Sequence, residues 1–163
     1  ATHLKQRKES IETGNGDIFW EGELRLRQIF DSYAGDENSE YILRHADFDS
    51  ICHARRENYA ALLNALTAPG VQVVFPELPE ASVPSHFCLY AEKRDELQQY
   101  LADHQIRSTV YWPVGPLVHP QPESSVQYIY DHIVSLPCDQ RFSPSDMQYV
   151  AQVLRDYSEN FMR

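Results

Sequence analysis

Apolar residues recur at three- and four-residue steps along two long stretches of this 163-residue chain. From Asp47 onward, Phe48, Ile51, Cys52, Tyr59, Leu62, Leu63 and Leu66 keep one face apolar, and Arg55 shares the spacing, which predicts an amphipathic helix. Asp47 is its expected N-cap, because a carboxylate accepts from the free N–H groups of a first helical turn. Pro69-Gly70 stops it. At roughly 20 residues such a helix is about 30 Å long, the length of a small domain. The second stretch, Met147, Val150, Ala151, Leu154 and Tyr157, follows Ser143-Pro144-Ser145-Asp146. That tetrapeptide is a helix start with a hydroxyl cap, a proline in the first turn and an acid three residues on, Asp standing where Glu is usual. A shorter helix is predicted from Glu92 to His104, with Leu97, Tyr100 and Leu101 on one face and acids near its start, as the helix dipole prefers.

Strand signals lie between these helices. Val71 to Phe75 is β-branched and apolar, His86 to Tyr90 is a second candidate, Ile106 to Trp112 a third, and Ile133 to Leu136 adds a short fourth. The route from the second strand through the 92–104 helix to the third predicts a crossover, right-handed if the strands are parallel. Pro76, Pro79 and Pro84 make the segment before His86 a loop, and four prolines with Gly115 do the same between Pro113 and Ser125. The first 38 residues are polar. Gly14-Asn15-Gly16 marks a turn there, Ile18-Phe19-Trp20 reads as one brief strand, Leu24, Ile29 and Phe30 as a short helical pattern, and Asp36-Glu37-Asn38-Ser39 as a loop. The predicted architecture is α+β, a small sheet with helices packed against it.

Composition narrows the function classes. Lys plus Arg is 14 and Asp plus Glu is 24, a formal net charge of −10, and no basic stripe offsets it, so a nucleic-acid or anionic-membrane surface is not expected. Cys52, Cys88 and Cys138 are odd in number and widely spaced, which predicts free thiols in a reducing compartment. The sequence contains no apolar run long enough to span a bilayer and no leader pattern, so a cytoplasmic location is expected. The seven histidines show no metal spacing, and His119 in the Pro-rich loop is the only one in a site-like setting. No metal site is predicted, and no nucleophile elbow, Walker loop or dinucleotide fingerprint is present.

The order of these landmarks resembles a known family. Tyr59 and Leu63 on a long helix, His86-Phe87 opening a strand, Arg94-Asp95 starting a helix, Tyr111-Trp112-Pro113 closing a strand, and Val134-Ser135-Leu136-Pro137 leading to a helix capped by Ser143 are similar to the C-terminal small domain of the DegT/DnrJ/StrS sugar aminotransferases. The resemblance covers about Ser39 to Asp156. It implies the small, mainly antiparallel sheet and packed helices of the C-terminal domain of fold-type I, aspartate aminotransferase-like enzymes that use pyridoxal phosphate (PLP). It divides the chain into residues 1–38, a remnant of or linker from the large PLP-binding domain, and residues 39–163, the small domain. It also implies a homodimer in the parent protein.

Site residues follow from the same resemblance. The family's cofactor lysine precedes a Gly-Gly pair and an apolar strand. In this chain Lys8 precedes Gly14-Asn15-Gly16 and Ile18-Phe19-Trp20, which puts Lys8 on the catalytic, cofactor-binding position, with Lys5 a weaker alternative. Such a lysine works at neutral pH only with a depressed pKa, and the groups that would depress it belong to the missing large domain, so within this chain Lys8 also reads as an ordinary solvated lysine. Where the family often has His-Tyr-Pro, this chain has Tyr111-Trp112-Pro113. Tyr111 and Trp112 either face a sugar substrate, by hydrogen bond and stacking, or close the core where the strand ends. Arg107 either holds a carboxylate or phosphate of substrate or is an ordinary exposed arginine. Asp139-Gln140-Arg141 reads as a polar turn whose ends pair with one another or with the following helix.

Two functional expectations result. In the first, the chain is the C-terminal portion of a PLP-dependent nucleotide-sugar aminotransferase-like protein of polysaccharide precursor synthesis, whose partners are a nucleotide sugar and an amino donor. The isolated chain is then inactive, and no PLP is expected on it alone. In the second, it is a non-catalytic binding or interaction module derived from the same fold, using the apolar face that a large domain would otherwise cover.

Overall fold

The computed structural model describes residues 16–29, 35–111 and 119–161. The chain divides into two compact units, Ala1–Ala46 and Asp47–Arg163.

The first unit contains α1 (Gly16–Ile29) and α2 (Glu37–His45). Ile18-Phe19-Trp20 is therefore helical, and the brief strand expected there is not formed. The reason is local. Only Ile18 is β-branched, and the run continues into Glu21, Glu23, Leu24, Arg25, Leu26 and Arg27, all good helix formers. The loop expected at residues 36–39 is a helix start. The Asp36 carboxylate accepts from the backbone N–H groups of Asn38 at 3.0 Å and Ser39 at 3.1 Å and from the Ser39 hydroxyl at 2.6 Å. These bonds satisfy donors that a first turn otherwise leaves free. An Arg44–Glu40 pair one turn apart adds to α2, and none of its residues is buried.

The second unit holds the core. Its elements are α3 (Phe48–Ala65), β1 (Val71–Val73), β2 (His86–Ala91), α4 (Arg94–Asp103), α5 (Ser125–His132), β3 (Ile133–Pro137) and α6 (Pro144–Phe161). The three strands form one antiparallel sheet in the order β1-β2-β3. In β2 burial alternates, so that Phe87, Leu89 and Ala91 are buried. The register sets Phe87 beside Leu136 and Leu89 beside Val134, which carries the buried set onto β3. Tyr59 and Leu62 of α3, Leu97 and Leu101 of α4, Ile106, Cys138, and Met147, Val150, Ala151, Val153, Leu154 and Tyr157 of α6 complete the core. Each fully buried large aliphatic side chain contributes on the order of 2 kcal/mol relative to exposure. Tyr90, half-buried on β2, meets Tyr128 of α5 edge-on at 5.3 Å between ring centroids.

The caps read from the sequence are present. Asp47 accepts from the Ser50 N–H at 3.0 Å. At α6 the Ser143 N–H and hydroxyl both donate to Asp146 Oδ2, at 2.8 and 2.7 Å, and the Asp146 N–H reaches back to the Ser143 Oγ at 3.4 Å. An Asp thus closes the reciprocal capping box.

The segment from Ile106 differs from expectation. It makes one antiparallel bridge, Thr109 to Ser135, and the third strand of the sheet is Ile133–Pro137. Because both pairings are antiparallel, residues 106–111 run in the same direction as β2 with β3 between them. The crossover links elements that are not neighbours. Helix α5 escapes the apolar-periodicity reading altogether. It starts at Ser124, whose hydroxyl accepts from the Gln127 N–H at 3.2 Å, and Gln127 donates to Asp131 one turn on at 2.7 Å.

Candidate functional site

Polar side chains converge where β2 begins and β3 ends. The register sets His86 opposite Pro137, and the Thr109–Ser135 bridge lays residues 106–111 along the other side of β3. Thr109 and Ser135 exchange both backbone bonds, at 2.9 and 2.8 Å. Tyr111 is thereby carried to His86, with its hydroxyl 2.8 Å from Nε2 and the two rings edge-on at 4.8 Å. Ser85 Oγ lies 2.9 Å from the other ring nitrogen. Burial holds the His86 pKa below its ordinary value. Asp139 pulls the other way, while the Arg141 and Arg55 charges add to the lowering. A neutral imidazole has one donor and one acceptor nitrogen, and a hydroxyl can serve either, so the Ser85–His86–Tyr111 chain is satisfied without a proton from solvent.

The turn after β3 sits beside this chain. Asp139 is buried, and its carboxylate accepts from Arg141 three times: from the backbone N–H at 3.0 Å, from Nε at 2.7 Å and from Nη2 at 2.7 Å. The Arg141 bonds pull the Asp139 pKa down to about 2. Of the two pairings expected for this turn, the one between its own ends is formed, as a bidentate guanidinium–carboxylate pair. Asn58 on α3 secures the same turn, its Nδ2 donating to the carbonyls of Asp139 and Phe142, each at 2.9 Å, and more weakly to that of Cys138 at 3.4 Å. Arg55, one turn earlier, donates from Nε to Gln140 Oε1 at 2.7 Å.

Arg107 lies elsewhere. It lines a cleft of about 630 Å³ bordered by the end of α4, the segment after it, and the first turns of α6. The structure therefore gives Arg107 and Tyr111 separate settings. Trp112, Lys8 and Lys5 lie outside the described residues. His119, singled out in the sequence, is exposed. Among the described histidines, the one whose two ring nitrogens both meet hydroxyls is His86, whose signal was its position opening a strand. Among the described residues no group of three or more His, Cys, Asp and Glu is arranged to hold a metal ion. Nor, among them, is any helix long and apolar enough to cross a membrane.

The described residues do not by themselves form a PLP cradle. Lys93, their one lysine, sits at the start of α4 and pairs with Glu96 at 3.4 Å. The buried acid, Asp139, is already committed to Arg141. A lysine amine and an acid free to meet a pyridine nitrogen are thus not brought together among the described residues.

No family model and no curated protein matches the chain. Solved structures do. DesV of S. venezuelae, determined with a ketimine intermediate, is 24% identical with a TM-score of 0.61, over 72% of this chain and 34% of its own. DesI, determined in the presence of its TDP-sugar product, is 20% identical with a TM-score of 0.55, over 68% of this chain and 32% of its own. Spr1654 from Streptococcus pneumoniae, in its PLP-form, is 15% identical with a TM-score of 0.56, over 69% and 32%. At these identities the likeness is one of fold. The chain spans about a third of the length of the structures it matches. It has the α+β fold of a portion of the DegT/DnrJ/EryC1/StrS-type sugar aminotransferases.

Proposed function

We infer that this chain is part of a PLP-dependent nucleotide-sugar aminotransferase-like protein of polysaccharide precursor synthesis, working in the cytoplasm as a homodimer. The observation that supports this reading is the fold likeness over roughly 70% of the chain to structures that include one with a ketimine intermediate, one with a TDP-sugar product and one in a PLP-form. In such a parent, residues 1–38 belong to the large domain and residues 39–163 are the small domain. PLP bound in the parent supplies an electron sink for the carbon that gains or loses the amino group. In this reading the chain alone is inactive, since the large domain that holds that group lies in the parent.

The contribution of the small domain is to form one wall of the substrate cleft and to orient what binds there, which is worth several kcal/mol in well-positioned reactions. Arg107 offers a guanidinium to a carboxylate or phosphate, Tyr111 a hydroxyl already ordered by His86, and Trp112 a ring for a sugar face. Lys8 is the residue assigned to hold the cofactor.

Borohydride trapping tests the reading. The longest obtainable form of the protein and this 163-residue chain are each incubated with PLP, reduced and digested, and any pyridoxyl-lysine is located by mass spectrometry. Labelling of Lys8 in the longer form alone supports the aminotransferase parent. No specific label in either form removes Lys8 and leaves the chain as a binding module built on an aminotransferase fold.

A further inference from the structure

The corner that joins α3, the turn after β3 and the start of β2 carries a surplus of hydrogen-bond donors. Its parts are tied together by short bonds. Arg55 reaches Gln140 at 2.7 Å, the Asn58 amide holds the carbonyls of Asp139 and Phe142, and the Cys138 N–H donates to the Ser85 carbonyl at 3.1 Å. From Ser85 the contacts continue through His86 to Tyr111.

Two guanidiniums are only partly used there. Arg55 donates through Nε, and Arg141 gives Nε and Nη2 to Asp139, so that among the described residues both Nη groups of Arg55 and Nη1 of Arg141 meet no protein acceptor. The acid lies beneath. The Asp139 side chain is 9% exposed against 73% for Arg141, so the group turned to solvent is the cation, and with Arg55 the corner holds one positive charge in excess. That sign is opposite to the net charge of −10 on the whole chain.

The hydroxyls add donors of their own. A neutral imidazole accepts from one neighbour and donates to the other, so of Ser85 and Tyr111 one always keeps its O–H free to point outward. An imidazolium donates to both and frees both protons. Burial, with the Arg141 and Arg55 charges acting against Asp139, holds His86 toward its neutral form. Cys88, on the same face of β2, is engaged with Ser135 at 3.5 Å.

We propose that this corner binds a tetrahedral oxoanion, a phosphate or sulfate group, between Arg55 and Arg141, and that the bound anion and a proton on His86 favour one another. The anion offsets the part of the field that opposes the imidazolium, and the imidazolium releases a further hydroxyl proton toward the anion. Each therefore raises the affinity of the other. The corner lies within the compact unit Asp47–Arg163 and needs neither PLP nor a longer parent, so it is independent of the aminotransferase reading.

The test is an NMR titration of this chain, isotope-labelled, with sodium sulfate at constant ionic strength kept with sodium chloride, at pH about 5.5 and about 8. Sulfate keeps its double charge throughout, so a change with pH belongs to the protein. The expected result is saturable binding with a Kd below about 10 mM, in which the Nε signals of Arg55 and Arg141 and the backbone amides of residues 139–141 shift. Affinity is at least about threefold higher at the lower pH, and His86 titrates at higher pH in saturating sulfate than in chloride. Arg55→Gln weakens binding about tenfold, Arg55→Lys restores part of it, and His86→Gln removes the pH dependence. Inorganic phosphate and phenyl phosphate are compared at pH about 8, where both are dianions. Tighter binding of the ester assigns the site to a phosphate carried by a larger molecule, equal binding to the free ion, and either upholds it. A response to sulfate no greater than that to chloride overturns the site, as do shifts that map elsewhere or an unchanged affinity in Arg55→Gln. Equal affinity at the two pH values overturns the coupling to His86. Failure here leaves the outcome of the Lys8 labelling untouched.

Discussion

Asn58 ties three backbone carbonyls together with one buried amide nitrogen, and it does so across the gap between α3 and the turn after β3. Its replacement by alanine takes a donor from each of them, the Asp139 carbonyl keeping the Phe142 N–H at 3.1 Å, which costs about 1–3 kcal/mol. Chemical denaturation of Asn58→Ala is expected to show a lower midpoint with an unchanged slope. Beside it, Asp139 gives the fold a definite acid response. Its folded-state pKa, about 2, lies below the ordinary 3.8 because Arg141 stabilises the ionised form. A depressed carboxyl contributes stability that is fully present above the unfolded value and is lost as the pH falls from near 4 toward 2. Melting temperatures measured across that window should fall less steeply in Asp139→Asn than in the parent chain. Cys138, buried like Asp139, is held in its neutral form. Burial raises its thiol to about 12, while Cys52 and Cys88 are half-buried. A thiol-specific reagent at pH 8 should modify Cys52 and Cys88 in the folded chain and reach Cys138 only in denaturant, since the thiolate is the reacting form.

At the scale of elements, α6 depends on its first turn. Ser143 and Asp146 bond reciprocally, so Ser143→Ala removes a hydroxyl that both donates to the carboxylate and accepts from the chain. The expected loss is about 1 kcal/mol, read from thermal unfolding with helix content retained. This start was legible in the sequence, as was Asp47 before α3, because capping is decided by residues within four positions of each other. Asp36 uses the same chemistry but precedes only nine helical residues, too few for an apolar period to announce them. Residues 106–111 were misread for a different reason. Their apolar, β-branched composition fits a strand, yet membership of a sheet is settled by what lies alongside, and only Thr109 finds a partner. The site shows the same division. The Asp139–Arg141 pair is two residues apart and could be read from the chain. His86 and Tyr111 are 25 residues apart and meet only through the register of β2 with β3 and the bridge at Thr109. No local pattern carries that information.

Among the described residues, those of the core all lie in the unit Asp47–Arg163. A chain beginning at Asp47 is therefore expected to fold unaided, with the backbone NMR signals of residues 59–62, 86–91, 97–101 and 147–157 unchanged from those of the full chain. Long tertiary ties within the unit support this. Arg155 reaches the Ala65 carbonyl and Tyr157 that of Lys93, at 3.3 Å for the latter. Arg56 gathers the carbonyls of Pro79, Glu80 and Ser82 at 2.6 to 2.9 Å, which fixes the Pro-rich loop onto α3.

The small sheet also determines how copies of this chain treat one another. An open strand edge is a template on which a second chain can add and a fibre can grow. Here one margin, β1, offers only Val71–Val73 before the chain turns away toward Pro76. The other margin, along β3, already has both backbone groups of Ser135 occupied by Thr109. Neither border is long enough or free enough to recruit a stranger, so a crowded solution of this protein has little means of crystallising into amyloid through its native sheet.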